Sequence, residues 1–373
     1  MKIGIITYHG ARNYGAFLQS YSLSERLNLE KGIDAEVIDF RMKKEENFYK
    51  LRFRKGMIKK PIRSMIEYKI KRKQNELFDR DRIKLRKSES SIISDSLDDF
   101  RDFVYGKYDV IIAGSDEIWK TNGFRGFPTP YWLIGDLGCR KFSYAASARN
   151  DFSKMSGEEQ DILRKAINEF EFIGVRDELT YNEVNRYRDR QDVNICCDPT
   201  FLYDFEFNKE NGNKILNSIN RKLSNKKRIG VMTENNEIAK KIRNALGSEY
   251  EIYSLYQWQP GYINACELSP FEWLDVLASL DLVITSFFHA ACFALKAGTP
   301  LISFGTAVKS SKLTALAEQT EKPEIYEEDI IGKIANGEFG KMVKDKIAGE
   351  RTPYIPNDKM LVGYKALITA LKQ

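Results

Sequence analysis

The chain has 373 residues, too many for one ordinary hydrophobic core, and two domains are therefore expected. Its composition is that of a globular protein, with 42% hydrophobic and 30% charged residues, and no apolar run approaches the roughly 20 residues that span a bilayer. The net charge of +6 is concentrated in 41–90, where 19 Lys and Arg face 7 Asp and Glu, so the remainder carries −6. This asymmetry excludes a uniformly basic nucleic-acid-binding protein, and we expect no nucleic-acid partner.

The N-terminal sequence M-K-I-G-I-I-T-Y-H-G predicts a first strand, Lys2–Tyr8, because it lacks the small-residue cleavage site of a signal peptide. The cysteines have no metal-ligand spacing, and their odd number favours reduced, mostly buried thiols in a cytoplasmic protein. They are Cys139, Cys196, Cys197, Cys266 and Cys292.

Strands and helices alternate from the N-terminus onward. A loop with His9, Asn13 and Gly15 follows the first strand, and then come a predicted helix, Ala16–Glu30, and a second strand, Ala35–Phe40. This order resembles half of a nucleotide-binding fold. The loop has no G-x-G-x-x-G sequence, so the residues do not support a dinucleotide site.

The segment Asn47–Lys87 is strongly basic and carries apolar residues at helical spacing. One interpretation is a pair of solvated helices packed on the body of the protein. The other is an amphipathic basic helix that contacts an anionic membrane through 50–87. The apolar residues that define the spacing are Ile58, Ile62, Met65, Ile66 and Ile70.

Further strands of the N-terminal half end in polar residues, as is typical of the carboxyl edge of an open parallel sheet. A helix, Gly157–Phe170, lies between two of them. The strands and the polar residues that follow are Tyr108–Ala113 with Asp116 and Trp119, Phe142–Ala146 with Ser147, Phe172–Val175 with Arg176, and Asn194–Cys197 with Asp198.

The polar, Asn- and Lys-rich stretch Phe205–Asn225 is the best domain boundary. A second alternating series follows it. Ser269-Pro270-Phe271-Glu272 predicts a helix that begins with a capping box and a proline at its first position. The other predicted elements are strands Arg228–Met232 and Tyr250–Leu255 and helices Glu237–Leu246 and Asp358–Leu371.

Leu280–Gly305 predicts a βαβ unit. An apolar run, Leu282–Ile284, ends in Thr-Ser, His289 follows, and an alanine-rich helix, Ala290–Ala297, leads through Gly-Thr-Pro to the strand Leu301–Phe304. His289 therefore lies where a strand ends and a helix begins, which is the usual ligand position in such sheets.

These patterns predict an α/β protein with two Rossmann-like domains facing a cleft, which is the natural place for a site. The N-terminal domain is predicted over 1–205, with a basic helical insertion at about 47–90. The C-terminal domain is predicted over 226–350. We expect a C-terminal helix within 351–373 to pack back on the N-terminal domain.

Taken in order, several of these segments resemble the polysaccharide pyruvyl transferase family over about residues 1 to 320. The resemblance implies a GT-B-like architecture with the acceptor on the N-terminal domain and the donor on the C-terminal domain. The landmarks are N-Y-G-A-F-L-Q at Asn13–Gln19, G-S-D-E-I-W at Gly114–Trp119, S-Y-A-A-S at Ser143–Ser147, G-V-R-D at Gly174–Asp177, C-D-P-T at Cys197–Thr200, the capping box at Ser269 and S-F-F-H at Ser286–His289.

The resemblance also implies an activity. It is the transfer of pyruvate from phosphoenolpyruvate to two hydroxyls of a sugar, which forms a cyclic ketal on a surface polysaccharide or its lipid-linked precursor. No metal or organic cofactor is implied. The expected partners are therefore phosphoenolpyruvate and a glycan or lipid-linked oligosaccharide, and the expected location is the cytoplasm or the inner face of the membrane.

On the donor side, His289 matches the family's key histidine, and an imidazole suits proton transfer near neutral pH. The alternative is a buried, hydrogen-bonded histidine. Arg176 could hold the donor carboxylate or pair with a neighbouring acid such as Asp177. Lys309 could neutralise phosphate or be a solvated loop residue. Ser286, directly after its strand, completes the predicted donor site.

On the acceptor side, Asp116 could accept a proton from a sugar hydroxyl. Trp119 could stack on a sugar or belong to the core. Asn13 could bind substrate or cap the helix that follows it. Gly15 allows a close backbone approach. Gln19 lies in the same turn, and His9, the only other histidine, could line the cleft.

Phe287 departs from the family pattern, because many members carry arginine two positions before the histidine; Ala290 stands where glycine is common. Two rival functions follow. One is a GT-B glycosyltransferase that uses a nucleotide sugar, since H-A-A-C-F-A-L-K-A-G-T-P more loosely resembles heptosyltransferase-like enzymes. The other is a family member that binds glycan without catalysis. Phe287 best supports the second.

Overall fold

The computed structural model describes residues 1–50, 61–220, 225–305 and 310–373. The chain divides into two compact units. Unit 1 comprises Met1–Lys50, Ile83–Asp204 and Pro356–Gln373, and unit 2 comprises Leu51–Arg82 and Phe205–Ile355.

The elements of the N-terminal half alternate much as the sequence predicts. The described ones, in chain order, are β1 (Lys2–Ile6), α1 (Tyr14–Asn28), β2 (Asp34–Val37), β3 (Phe40–Arg41), α2 (Lys43–Tyr49), α3 (Pro61–Arg82), β4 (Ile92–Ile93), α4 (Leu97–Val104), β5 (Val110–Ala113), β6 (Arg140–Ala146), α5 (Gly157–Glu169), β7 (Phe172–Val175), α6 (Glu178–Asn185) and β8 (Val193–Ile195).

The C-terminal half repeats the alternation. Its described elements are α7 (Lys209–Ile219), β9 (Arg228–Met232), α8 (Asn236–Leu246), β10 (Glu251–Ser254), β11 (Ile263–Asn264), α9 (Pro270–Ser279), β12 (Leu282–Thr285), α10 (Phe288–Lys296), β13 (Leu301–Phe304), α11 (Ser310–Gln319), β14 (Tyr326–Glu327), α12 (Ile330–Ala335), α13 (Phe339–Ala348) and α14 (Val362–Leu371).

Each unit is built on a parallel sheet. Within the described residues, the sheet of unit 1 has six strands in the order β2-β1-β5-β6-β7-β8, and that of unit 2 has six in the order β11-β10-β9-β12-β13-β14. Four inner strands, β5, β7, β12 and β13, are buried along their whole length, which explains why they read as continuous apolar runs and not as alternating patterns. The prediction of parallel α/β sheets is confirmed.

The strand predicted over Ala35–Phe40 is shorter than expected. It leaves the sheet after Val37, and the chain then forms β3, which pairs with β4 in a separate two-stranded ribbon. The change of direction falls at Asp39, whose carboxylate accepts hydrogen bonds from His9 and Lys87. These polar contacts fix the chain between the end of β2 and the start of β3.

Helix α3 packs within unit 2, although the sequence-based limits place 47–90 in the N-terminal domain. Three contacts join it to α9 and the residues before it. Gln74 donates to the carbonyl of Cys266 at 2.5 Å, Arg80 pairs with Glu272 at 3.0 Å, and the buried carboxylate of Asp81 accepts from the N–H of Phe271. The basic composition gives no sign of these few specific contacts.

The polar stretch 205–225 contains a helix, α7, packed tightly on α9. Asp275 accepts hydrogen bonds from the backbone of Asn208 at 2.9 Å and from the side chain of Asn211 at 2.7 Å. A side chain at Gly212 would overlap the carbonyl oxygen of Asp275, with 2.1 Å between Cβ and oxygen. Most residues of α7 face solvent, which explains the polar composition of this helix.

The C-terminal helix α14 lies in unit 1, against the last strands of its sheet. The hydroxyl of Tyr364 donates to Glu30 at 3.1 Å, and the guanidinium of Arg140 donates to the carbonyl of Ala370 at 2.9 Å. Gly363 approaches the carbonyl of Ile195 so closely that a Cβ would lie 2.7 Å from it.

No helix in the described ranges is both long and apolar enough to cross a membrane. All five cysteines are free thiols, and Cys139 alone among them is not buried.

Candidate active site

The carboxyl edge of the unit 1 sheet collects most of the predicted acceptor residues. The loops after β5 and β6 are bound to each other there. The N–H of Ser147 donates to the carbonyl of Asp116 at 3.0 Å, and the N–H of Trp119 donates to the carbonyl of Ser147 at 3.1 Å. This pairing brings the G-S-D-E-I-W and S-Y-A-A-S segments together.

Asp116 is partly exposed at this edge and has a left-handed backbone, with φ of 76°. Such a conformation is costly for a residue other than glycine and clusters at functional sites. Its Oδ1 accepts from the N–H of Glu117 at 2.8 Å, which orients the carboxylate. Asp116 is therefore a positioned carboxylate with access to solvent.

Arg176 follows β7 and is buried, with 5% of its surface exposed. Its Nη1 donates to Oδ2 of Asp198 at 2.9 Å, and its Nη2 lies 3.8 Å from Oδ1 of Asp116. Although burial by itself lowers the pKa of Arg176, Asp198 and Asp116 raise it well above its ordinary value. The alternative to donor binding by Arg176 was an ion pair with a neighbouring acid such as Asp177. The structure shows ion pairs with Asp198 and Asp116.

Asp177 instead begins the next helix. Its carboxylate accepts from the backbone of Thr180 at 2.9 Å and from the hydroxyl of Ser147 at 2.6 Å. Burial opposes ionisation, but these hydrogen bonds lower the pKa of Asp177. The G-V-R-D segment thus joins the S-Y-A-A-S loop through Asp177 and the C-D-P-T loop through Arg176.

Gln19 lies in the interior of unit 1, and its amide is fully used there. Its Oε1 accepts from the hydroxyl of Ser115 at 2.6 Å, and its Nε2 donates to the hydroxyl of Thr7 at 3.1 Å and to the carbonyl of Ala16 at 2.9 Å. The structure corrects the prediction that Gln19 lines the substrate cleft. Its role is to tie α1 to the ends of β1 and β5.

His9 is also buried, with 3% of its surface exposed. Nδ1 lies 3.1 Å from the carbonyl oxygen of Thr7, and Nε2 lies 3.1 Å from Oδ1 of Asp39. Burial opposes ionisation of Asp39, but hydrogen bonds from His9 and Lys87 hold the pKa of that carboxylate well below its ordinary value. Because both ring nitrogens face protein acceptors, His9 is a structural residue and not part of a cleft wall.

Asn13 and Gly15 both belong to the start of α1. Asn13 is the N-cap residue, and its side-chain oxygen accepts from the N–H of Ala16 at 3.1 Å. Capping was one of the two predicted roles, and it leaves the side chain exposed at the surface. Gly15 is buried within the first turn of the helix.

Trp119 belongs to the core of unit 1. Its ring stacks on Trp132 at 4.9 Å and meets Phe170 edge-on at 5.6 Å, and none of its surface is exposed. Its indole N–H donates to the carbonyl of Tyr131 at 3.0 Å. Of the two predicted roles the core interpretation therefore holds, because the ring has no exposed face on which a sugar could stack.

Sequence reasoning missed a second polar cluster beside the same edge. Glu45, on α2, is buried and accepts from the hydroxyl of Tyr131 with both oxygens, at 3.0 and 2.9 Å. Nη1 of Arg125 lies 3.6 Å from it. Burial raises the pKa of Glu45 to about 7. Nothing in the local sequence marks these residues, because 80 positions separate Glu45 from Arg125.

In unit 2, Ser286 and His289 follow β12 at the carboxyl edge of the second sheet. The hydroxyl of Ser286 donates to that of Thr233 at 3.1 Å, which joins the ends of β12 and β9. His289 is the second residue of α10 and is half-buried, with its ring edge-on to Phe288 at 5.3 Å. The strand and the helix predicted for this segment are confirmed, but the helix begins at Phe288, so His289 lies in its first turn and not before it.

Phe287 occupies the N-cap position of α10 and has no side-chain acceptor to offer the first turn. Its ring packs against Tyr256 at 4.6 Å. An aromatic pair thus stands where many family members carry a guanidinium. Lys309, the other cation predicted for the donor, lies outside the described residues. No group of three or more potential metal ligands occurs in the described ranges.

The chain resembles known proteins in its sequence family and in its fold. The family model for polysaccharide pyruvyl transferase matches residues 13–307. A search of curated protein sequences returns no significant match.

Similar solved structures include UDP-GlcNAc 2-epimerase from Methanocaldococcus jannaschii, with a TM-score of 0.56 and 12% identity over 100% of both chains. A putative UDP-N-acetylglucosamine 2-epimerase from Listeria monocytogenes has a TM-score of 0.54 and 10% identity over 100% of this chain and 96% of that one. At such identities the likeness concerns the fold alone. It confirms the predicted class, two Rossmann-like domains of the GT-B kind.

The matched range covers well over half of the chain and includes Asp116, Arg176 and His289. The chain therefore belongs to the polysaccharide pyruvyl transferase family.

Proposed function

We propose that this protein transfers pyruvate from phosphoenolpyruvate to two hydroxyls of one sugar in a surface polysaccharide or its lipid-linked precursor. The observation that carries the proposal is the position of His289, at the start of α10 and directly after β12, inside the range that matches the family. The enzyme class follows from the family, whereas the donor and the ketal product are proposals.

The donor side of the proposal rests on unit 2. Phosphoenolpyruvate carries a carboxylate and a phosphate, and the first turn of a helix offers backbone N–H groups and a positive dipole end to such anions. In our proposal α10 provides this turn, Ser286 offers a hydroxyl beside it, and His289 acts as the acid that protonates the methylene carbon. Lys309 remains a proposed phosphate contact.

The acceptor side rests on unit 1. Asp116 is the proposed base for the sugar hydroxyl, because it is a partly exposed carboxylate whose orientation is set by the N–H of Glu117. Arg176 holds Asp198 through Nη1 and faces Asp116 through Nη2. The role predicted for Arg176, a contact with the donor carboxylate, remains a proposal.

The proposed reaction begins with proton transfer to the donor. A proton adds to the methylene carbon, which becomes a methyl group and leaves cationic character on the neighbouring carbon. One sugar hydroxyl forms a C–O bond to that carbon and gives up its proton. The bond to the phosphate oxygen breaks, and inorganic phosphate leaves. The second hydroxyl then attacks the same carbon and loses its proton, which closes the ketal.

The proposal is tested with purified protein, phosphoenolpyruvate and an acceptor glycan. We expect release of inorganic phosphate and an acceptor that gains the mass of pyruvate less one water. In a thermal-shift experiment, phosphoenolpyruvate should raise the melting temperature and UDP-sugars should not. Stabilisation by a UDP-sugar alone would instead favour a nucleotide-sugar transferase and would rule out the proposed donor.

We further propose that α3 contacts an anionic membrane surface, where a lipid-linked acceptor would reside. One face of the helix is turned to unit 2 through Arg63, Gln74 and Asp81. The opposite face is exposed, and Glu76 on it pairs with Arg72 at 3.6 Å and with Lys73 at 3.5 Å. Beside this acid the face carries two apolar residues and three cations, a combination typical of an interfacial helix. These residues are Ile62, Met65, Lys69, Arg72 and Lys73. The rest of the basic segment, 51–60, lies outside the described residues.

A further inference from the structure

Two phenylalanines form an exposed stacked pair at the carboxyl edge of unit 1. Phe48, on α2, is 51% exposed, and Phe124, in the loop after β5, is 42% exposed. Their ring centroids are 4.5 Å apart and their planes differ by 2°. Single exposed hydrophobic side chains are common on protein surfaces, but this stacked pair joins two rings into one continuous apolar surface.

The pair is fixed to the edge of the sheet that carries Asp116. Arg125, the next residue after Phe124, donates to the carbonyl of Glu117 at 2.9 Å, and its guanidinium lies 4.6 Å from the ring of Tyr8. Phe48 meets the ring of Tyr49 edge-on at 5.1 Å, and Tyr49 accepts from the hydroxyl of Tyr8 at 3.0 Å. Both phenylalanines are therefore anchored through Tyr8, which directly follows the first strand.

The surroundings of the pair are polar. Lys120 is partly exposed in the same loop. Burial and then the nearby Arg149 lower the pKa of Lys120. Glu117 and Arg149 form an ion pair at 3.0 Å in the adjoining loops. These groups can donate to and accept from the hydroxyls of a ligand that rests on the rings.

The size of the apolar surface selects the class of ligand. In the described parts of 43–50 and 116–132, Phe48 and Phe124 are the only large hydrophobic side chains that are exposed. Docking of a protein or a lipid chain usually needs a contiguous apolar patch of several hundred Å². Two stacked rings with a polar rim fit instead a flat ligand with one apolar face and many hydroxyls, which describes a pyranose ring.

We propose that Phe48 and Phe124 form a sugar-binding platform for the glycan acceptor. The polarised C–H groups of one pyranose face pack on the electron-rich face of an exposed ring, and Lys120 and Glu117 bond its hydroxyls. The platform rests on the proposed function for the identity of its glycan. It takes the role that the sequence suggested for Trp119, which the structure places in the core.

The test uses Phe124→Ala, Phe124→Leu and Phe124→Tyr in the full chain. Leucine keeps apolar bulk but has no ring face, whereas tyrosine keeps the face. We expect acceptor KM to rise about tenfold in the alanine and leucine variants and to change less than twofold in the tyrosine variant. The KM for phosphoenolpyruvate should stay unchanged. Tyr105→Ala is the matched control, because Tyr105 is 56% exposed and precedes β5 at the opposite edge of the sheet.

Binding is measured separately from transfer, by saturation-transfer NMR with neutral oligosaccharides of glucose, galactose, mannose and N-acetylglucosamine. Ring contacts that disappear in Phe124→Leu and persist in Phe124→Tyr would support the platform. Equal binding in the leucine variant would overturn it. Sugar binding without pyruvyl transfer would refute the proposed function and leave the platform standing. Unchanged transfer in Phe124→Ala would refute the platform and leave the proposed function standing.

Discussion

Nη1 of Arg176 lies 2.9 Å from Oδ2 of Asp198, and both side chains are buried in unit 1. The other oxygen of Asp198 accepts from the N–H of Thr200 at 3.1 Å. The carboxylate is therefore satisfied on both sides, and the pair joins the end of β7 to the turn after β8. Two of the family landmarks, G-V-R-D and C-D-P-T, meet in this one ion pair.

The pair predicts a large loss of stability when one partner is removed. Asp198→Ala removes the carboxylate that lies 2.9 Å from the buried guanidinium of Arg176, and we expect the free energy of unfolding to fall by about 3–5 kcal/mol. Urea unfolding followed by circular dichroism measures it. Asp189→Ala is the control, since Asp189 is an exposed partner of Arg164 at 3.6 Å and should cost less than about 1 kcal/mol. Similar losses in both variants would contradict the prediction.

Gly114 gives a second prediction about the same edge. Its φ is 151°, and a Cβ there would lie 2.0 Å from the carbonyl oxygen of Tyr144. Because that atom belongs to the backbone of β6, it cannot move aside easily. We expect Gly114→Ala to destabilise the protein by about 3 kcal/mol or more, or to prevent folding.

Gly126 provides the control for this change. It lies in the same loop and has φ of 71°, and a Cβ added there would point into open space, with no packed atom within 4 Å. Gly126→Ala therefore adds backbone strain without a clash, and a loss of about 1 kcal/mol is expected. Thermal melts of both variants decide the matter, and a smaller loss at Gly114 than at Gly126 would show that the close approach is unimportant.

The sequence predicts the fold better than it predicts the roles of single residues. Apolar runs and capping signals locate most strands and helices, because they report burial and helix termini within a few neighbouring positions. Whether Gln19 or His9 faces solvent depends on Ser115 and Asp39, which are distant in the chain. Asn13 and Trp119 each had two predicted roles, and only the three-dimensional contacts separate them.

The buried carboxyl of Glu45 predicts a pH dependence. Its pKa rises from an ordinary value near 4.5 to about 7 in the folded protein. Between these two pH values the carboxyl is therefore protonated in the folded state and ionised in the unfolded state. The stability contributed by the protonated form is complete below about pH 4.5 and is lost as the pH rises through 7. Glu45→Gln removes this titration and keeps an oxygen that can accept from Tyr131.

Between pH 5 and pH 8 the native protein should lose about 2 kcal/mol of stability through Glu45, and Glu45→Gln should not. The free energy of unfolding of the variant minus that of the native protein should therefore rise by the same amount. Urea melts of both proteins at several pH values measure the difference. Glu46→Gln is the control, because Glu46 is only half-buried on the same helix. A flat difference for Glu45→Gln would mean that Glu45 is ionised throughout this range.

The two histidines should behave in opposite ways. His289 is half-buried at the start of α10, so His289→Ala should lower kcat at least 100-fold and change the melting temperature little. His9 is buried between Thr7 and Asp39, so His9→Ala should lower the melting temperature by several degrees. Phosphate release and thermal melts are measured on both variants. Full activity in His289→Ala would refute its catalytic role.

The exposed face of α3 predicts binding to anionic lipid. The triple change Lys69→Gln, Arg72→Gln and Lys73→Gln removes three cations on the face opposite to Gln74 and Asp81. Each cation near an anionic surface contributes about 1 kcal/mol, so partitioning onto phosphatidylserine vesicles should fall about 100-fold. The control replaces three exposed lysines on other helices of unit 2, Lys240, Lys341 and Lys344. Co-sedimentation at low and high salt measures both, and an equal loss in the two variants would show a general effect of net charge and not a membrane-binding helix.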